Sequence, residues 1–214
     1  MKTSTAMLRN LCLMLSLLLF TCSYGQQPLK HIGQLREGDL LFHIAPKGNA
    51  ITEVTATAED YAIDHVAVFF RQDGKPMVVE ADERGTVVTP LDSLLKYGER
   101  FVVGRVKGRL DKERSVANAL QYLGRPYDHL YLADNEEIYC SELVQLAFVD
   151  KQGRPVFSTK PMNFRNADGQ VPEHWTALYA RHGMKVPQGE MGTNPADMAR
   201  HKRVRLKYII ATDK

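Results

Sequence analysis

The chain alternates short apolar runs with turn-forming punctuation, and the period of each run decides which element it predicts. In "LREGDLLFHI" (35–44) a Gly-Asp turn precedes an apolar strand. "DHVAVFF" (64–70) and "PMVVEA" (76–81) read as two strands joined by the turn-forming "RQDGK". "GTVVTP" (85–90) is a third short strand, "LDSLLKYG" a helical turn or two ending at Gly98, and "RFVVGRVKG" (100–108) a further strand. "ITEVTATAED" (51–60) predicts a short helix against the preference of its β-branched residues.

The second half reads differently. "DKERSVANALQYLG" (111–124) leads with charges, sets Val116, Leu120 and Leu123 on one face, and is ended by Gly124 and Pro126. After the loop "RPYDHLYLADNEEIY" comes the helix "CSELVQLAFVDKQG" (140–153), with Leu143, Leu146 and Ala147 as an apolar stripe and Gly153 as its stop. The C-terminal third is less regular: a helix in "PEHWTALYARHG" (172–183), a short one in "PADMAR" (195–200) and a last strand in "VRLKYII" (204–210). Strands that follow one another with few crossover helices predict an α+β fold, an antiparallel sheet with helices packed against it.

The N-terminus changes this picture. Lys2 and Arg9 precede the apolar run Leu11–Phe20, and Ser23 and Gly25 in "TCSYG" stand where a signal peptidase needs small residues. Residues 1–25 are thus expected to be a signal peptide cut before Gln26, with acylation of Cys22 as the lipoprotein alternative. The run is too short for a permanent membrane anchor. Cleavage takes 25 of the 214 residues and leaves 189, enough for one domain (26–214) with a sizeable core. Two of the 28 basic and none of the 25 acidic residues leave with it, so the mature net charge is +1. Near-neutrality argues against a nucleic-acid or anionic-membrane partner, and the expected product is exported, periplasmic or extracellular.

Cleavage also isolates one thiol. Cys12 and Cys22 fall in the leader, so Cys140 is the one cysteine of the mature chain. It has no internal disulfide partner, and is buried and inert, paired with another chain, or reactive. Its place at a helix start favours reactivity, because unpaired backbone N–H groups and the helix dipole stabilise a thiolate there. Ser141 and Glu142 are expected to cap that first turn, and Asp39 to close the turn before the first strand.

A reactive thiol needs a base, and His65 is the candidate, standing in the otherwise apolar "DHVAVFF". A carboxylate beside the imidazole would fix its tautomer and support its charge. Two hairpin registers are open. A Gln72-Asp73 turn pairs His65 directly with Glu80; an Asp73-Gly74 turn pairs Ala67 with Glu80 and sets Asp82 opposite His65. Both keep Glu80 on the His65 face, and Asp82 is the alternative orienting acid.

These residues carry a resemblance. "GDLLF", "DHVAVFF", "VVEA" with its Glu fifteen positions after the His, "YLGRPYD" and "YCSELV" resemble the permuted papain-like amidases, the YiiX-like branch of the NlpC-type papain-fold group. In that branch the His strand precedes the Cys helix, as here, and the resemblance covers roughly residues 35–150. It implies a permuted papain-like fold with Cys140 as nucleophile, His65 as base and Glu80 as orienting residue. Tyr127 and Asp128 of "GRPYD" are candidates for lining the cleft, with a packing turn as the other reading.

The expected function is therefore an exported cysteine amidase or peptidase acting on a small peptide or cell-wall-derived amide. Thiol-dependent lipid hydrolysis or acyl transfer is the enzymatic alternative, and a peptide- or amino-acid-binding module without turnover the non-enzymatic one. A redox-sensing thiol would lack a resolving cysteine. The remaining histidines have no metal-ligand spacing and no Gly-rich phosphate loop is present, so neither metal nor cofactor is expected.

Overall fold

The computed structural model describes residues 31–211 apart from 60, 99, 134 and 135; the expected signal peptide and Cys22 lie outside the described residues. Its centre is a six-stranded antiparallel sheet made of β1 (Leu40–Ile44), β2 (Ile63–Gln72), β3 (Lys75–Asp82), β4 (Gly85–Pro90), β5 (Arg100–Val106) and β8 (Val204–Ala211). Their order across the sheet is β4-β3-β2-β1-β5-β8. Two-residue strands β6 (Lys160–Pro161) and β7 (Met191–Gly192) pair separately. The fold is α+β, as the succession of strands predicts.

Both faces of the sheet are covered, which explains why β2 reads as a continuous apolar run rather than a strict alternation. Val66, Val68 and Phe70 join one core with helices α3 (Lys112–Leu120), α4 (Cys140–Ala147) and α6 (Pro195–Ala199). Ala67 and Phe69 join the other with Leu91, Leu94 and Leu95 of α2 (Leu91–Gly98). At the near-end of β1, Asp39 does close a turn, accepting from the Arg36 N–H at 2.9 Å; it also takes two guanidinium bonds from Arg105, at 2.7 and 2.6 Å.

Three helices are shorter than their patterns predict. α1 spans only Ala50–Val54, started by Asn49, whose side chain accepts from the N–H groups of Ile51 and Thr52; the β-branched residues beyond do not sustain it. α3 begins after Asp111, which caps Arg114, and loosens into turns before Gly124. α4 stops at Ala147 because Phe148 turns its ring into the core against Phe157. Val149 then bridges to Pro155, and Asp150 folds the chain back through Gly153, with its Oδ1 accepting from Gln152 and Arg154. Burial of one aromatic thus coincides with the early end of the helix.

The C-terminal third forms a smaller cluster around α5 (Glu173–Arg181). Trp175, Tyr179 and Phe164 pack against Val54, with Trp175 donating to the Ala50 carbonyl at 3.2 Å and Tyr179 to the Leu130 carbonyl at 2.7 Å. These bonds tie the segment to α1 and to the loop before α4.

One close approach offers a test of the sheet. Gly104 of β5 lies under Phe42, and a Cβ added there would stand 2.5 Å from a carbon of that fully buried ring. Gly104→Ala is expected to cost about 1–3 kcal/mol through overpacking, read as a lower urea midpoint with unchanged slope; an unchanged midpoint would show that the β1–β5 contact yields freely.

Candidate active site

The site begins with the β2–β3 turn. Asp73 and Gly74 both have positive φ, 51° and 77°, the conformation of a two-residue I′ turn. The ladder runs from Gln72–Lys75 to Val68–Val79, which is the second of the two open registers. Continued strictly, it would set Asp82 opposite His65 and leave Glu80 as the diagonal neighbour. Glu80 nevertheless takes the imidazole: its Oε2 lies 2.8 Å from His65 Nε2, within the reach of a long side chain to a diagonal position. Asp82 is turned instead to Arg84, bonded by its backbone N–H and by its guanidinium, with Nη2 at 2.5 Å. Arg84 Nη2 also reaches Glu80 Oε1 at 3.3 Å and Thr89 Oγ1 at 2.9 Å. Glu80 thus lies between an imidazole and a guanidinium with 3% of its side chain exposed.

Cys140 is the first residue of α4 and is 3% exposed. The N-cap is Tyr139, which makes no side-chain cap, and Ser141 does not fill that role. Ser141 is fully buried and instead accepts from Thr193 Oγ1 at 3.0 Å, while Tyr139 Oη accepts from the Thr193 N–H at 3.0 Å. The helix start is therefore held from both sides by one residue of the C-terminal third.

His65 joins the two halves. Nε2 is committed to Glu80, which leaves Nδ1 as the nitrogen available to the Cys140 thiol. Burial alone would push the imidazole's pKa down; hydrogen bonds with Cys140 and Glu80, and the charges of both, hold it well above the ordinary 6.5. The arrangement favours the imidazolium form of His65, with the Cys140 side chain on one side of it and the Glu80 carboxylate behind it. A thiol, an imidazole and a carboxylate in that sequence can act as nucleophile, proton carrier and orienting acid.

The other two predicted site residues are placed differently. Asp128 is wholly buried, and its oxygens accept from the N–H groups of Leu130 (2.8 Å) and Leu132 (2.6 Å). It shapes the loop behind the site and does not face the cleft. Tyr127 packs edge-on against His129 and bonds to the Tyr131 hydroxyl, burial raising its pKa far above the ordinary 10. It stands beside Tyr131 of the cavity wall, near enough to Cys140 for that group's charge to add to the rise.

Two cavities open on the site. One of about 440 Å³ reaches His65, Glu80, His43, Asp82 and Arg84. The other, about 50 Å³, reaches Cys140 and is walled by Tyr131, Tyr139, Phe164 and Trp175, with Asp64 and Asn194 among its polar lining. Sequence reading missed Phe164, Thr193 and Asn194, which come from irregular stretches, and Trp175, whose helix was predicted but not its place in the site. Asp64 was in view as a strand residue, its role hidden in backbone geometry.

A sheet with a cysteine at a helix start and a strand histidine backed by an acid is the arrangement expected of a permuted papain-like fold. Residues 34–208 match the family described as permuted papain-like amidase enzyme, YaeF/YiiX, C92 family, and the chain belongs to it. It is 30% identical over 194 residues to the uncharacterized protein YiiX of Escherichia coli strain K12, covering 88% of this chain and 90% of that protein. The crystal structure of metalloprotein yiiX from Escherichia coli O157:H7 matches in fold with a TM-score of 0.68 at 24% identity, covering 82% of this chain and 97% of that one.

The raised pKa of His65 gives a signed expectation. Folding favours the imidazolium, so this contribution to stability is complete below pH 6.5 and is lost as pH rises through the raised value. Glu80→Gln removes one cause of the rise, and long-range 1H–15N spectra are expected to show His65 titrating at lower pH than in the native protein. Asp82→Asn is expected to leave that titration nearly where it was, because Asp82 is held by Arg84. The opposite ranking would make Asp82 the orienting acid.

Proposed function

We propose that this protein is an exported cysteine hydrolase that cleaves an amide bond in a small peptide or cell-wall-derived fragment. The observation that carries the reading is His65 held between the Cys140 thiol and the buried carboxylate of Glu80. Membership of a permuted papain-like amidase family supports the same reaction class.

The chemistry follows from the geometry. Cys140 Sγ, as thiolate, attacks the substrate carbonyl carbon, and the carbonyl π pair moves to oxygen. The Cys140 backbone N–H, at a helix position with no intrahelical acceptor, donates to that oxyanion. The tetrahedral adduct collapses, the C–N bond breaks, and the His65 imidazolium gives its proton to the departing amine. The thioester that remains is attacked by water, whose proton returns to His65, and the acid product leaves with the thiolate regenerated. Glu80 supports the imidazolium in both halves, and Arg84 holds the second oxygen of Glu80.

A second reading has its own observation. The Cys140 cavity is largely apolar, with Ile51, Val54, Met162, Phe164 and Trp175 in its wall, which suits an acyl chain in a lipid-directed hydrolase or acyltransferase. The E. coli structure is described as a metalloprotein. In this chain the described residues hold no group of three or more His, Cys, Asp and Glu side chains arranged to bind a metal ion. His65 and Glu80 are used on each other, and no step here runs through a metal.

Incubation with mixed peptides and lipid esters, followed by intact mass, is expected to trap an acyl group on Cys140. A peptidyl adduct supports the amidase reading and a fatty acyl adduct the second. Cys140→Ala is expected to abolish turnover, by at least about 10³-fold, while ligand affinity stays within a few-fold, because a transition-state role rather than a pocket wall is removed. Loss of both together would make the cysteine structural. Export is checked separately on protein recovered from cells: a mature N-terminus at Gln26 supports it, and an acylated Cys22 makes the protein a lipoprotein instead.

A further inference from the structure

The start of β2 does not pair regularly. Against β1, His43 is opposite His65 but Ile44 is opposite Ile63, so Asp64 is an extra residue, bulged out of the ladder. Bulges re-aim side chains and are concentrated beside active sites. Here the bulge carries an acid, on the residue next to His65.

That acid is built in. Asp64 Oδ1 lies 2.5 Å from His43 Nδ1, and Oδ2 accepts from Asn49 Nδ2 at 2.5 Å. Asn49 is itself fixed as the cap of α1. Burial works against ionisation of Asp64, but the bonds from His43 and Asn49 and the nearby imidazoles outweigh it and lower its pKa. Neither donor has to be charged: Asn49 is neutral, and an imidazole with its proton on Nδ1 suffices. Two bonds also leave two of the carboxylate's four acceptor directions unused.

Asp64 lines the same cavity as Cys140, with 14% of its side chain open, among Tyr131, Phe164 and Trp175. An ionised carboxylate in a wall whose other residues are aromatic, apolar or neutral polar is costly to cover with a hydrocarbon chain and favourable to cover with a cation. We infer that Asp64 is a specificity-determining residue, and that the substrate carries a free ammonium group a few atoms from the scissile carbonyl, as an amino-acid amide or a peptide with an unblocked N-terminus does. The short span follows from Asp64 and Cys140 lining one small cavity. The inference rests on Cys140 being the nucleophile, and it selects the amidase over the lipid reading.

The test uses alanine chloromethyl ketone and its N-acetyl derivative on the intact protein at about pH 6.5, where an α-amino group of pKa about 8 is protonated. In each case Cys140 Sγ displaces chloride and forms a thioether, counted by intact mass. The free-amine probe is expected to alkylate about tenfold faster or more, as one charge-assisted contact allows. In Asp64→Asn the ratio of the two rates is expected to fall toward one, a change that a merely structural role for the bulge would not produce, since it would slow both probes alike. Equal rates in the native protein, a faster acetylated probe, or a folded Asp64→Asn that keeps the preference each overturn the inference. Iodoacetamide, which carries no ammonium, separates the two levels. If it labels Cys140 while the probe pair shows no preference, Asp64 is not the anchor and the nucleophile stands. If it labels nothing, the proposed function fails and this inference falls with it.

Discussion

A carboxylate taken almost wholly out of water has to be met by donors, and Glu80 is met by two: the imidazole of His65 and the guanidinium of Arg84. This requirement organises the site. It commits Nε2 of His65, so the ring presents its other nitrogen to the thiol, and it makes the charged imidazole the favoured form despite burial. It also explains why Arg84 sits directly after the strand. The guanidinium spans Glu80, Asp82 and Thr89, closing a network in which the buried charge is shared rather than isolated. Removing one donor would leave an acid under the sheet with half its partners, so electrostatics and geometry are conserved or lost together.

Much of this was legible in the chain before any coordinates. The strands, their antiparallel order and the helix that opens on Cys140 follow from apolar runs and turn residues, because period and punctuation are local properties. The His65–Glu80 pair was legible only as a choice of registers. Positive φ at Asp73 and Gly74 selects the register that, continued, sets Asp82 opposite His65, yet the longer Glu side chain reaches back along the diagonal while Asp82 is drawn to Arg84 two residues on. Side-chain length and a nearby cation decided what strand alignment alone left open.

The misreadings have a common cause. Ser141 and Asp128 look like a helix cap and a cleft residue when each is considered with its sequence neighbours. In the fold Ser141 bonds to Thr193, fifty-two residues away, and Asp128 is consumed by two backbone amides of its own loop. The helix beginning at Cys140 ends early for a similar reason: Phe148 turns into the core beside Phe157, a partner beyond the helix. Polar satisfaction and aromatic burial are settled by partners distant in sequence, and no local pattern announces them.

The cavity beside Cys140 carries this point furthest. Its thiol comes from the start of α4, its acid from a one-residue irregularity in β2, and its aromatic wall from α5 and the loops around it, which are fastened by bonds from Trp175 to Ala50 and from Tyr179 to Leu130. The reacting group and its base come from regular elements with strong sequence signals, whereas the walls come from segments with weak ones. That division has a physical basis. Attack on a carbonyl needs a fixed thiol and a fixed imidazole, which a helix start and a strand in a covered sheet supply. Selecting among substrates needs only a surface of the right shape and charge, which many irregular segments can build once they are tied to that frame. The family of this chain is therefore readable from its regular half, whereas the walls of the cavity beside Cys140 are built from the bulge at Asp64 and from the C-terminal third.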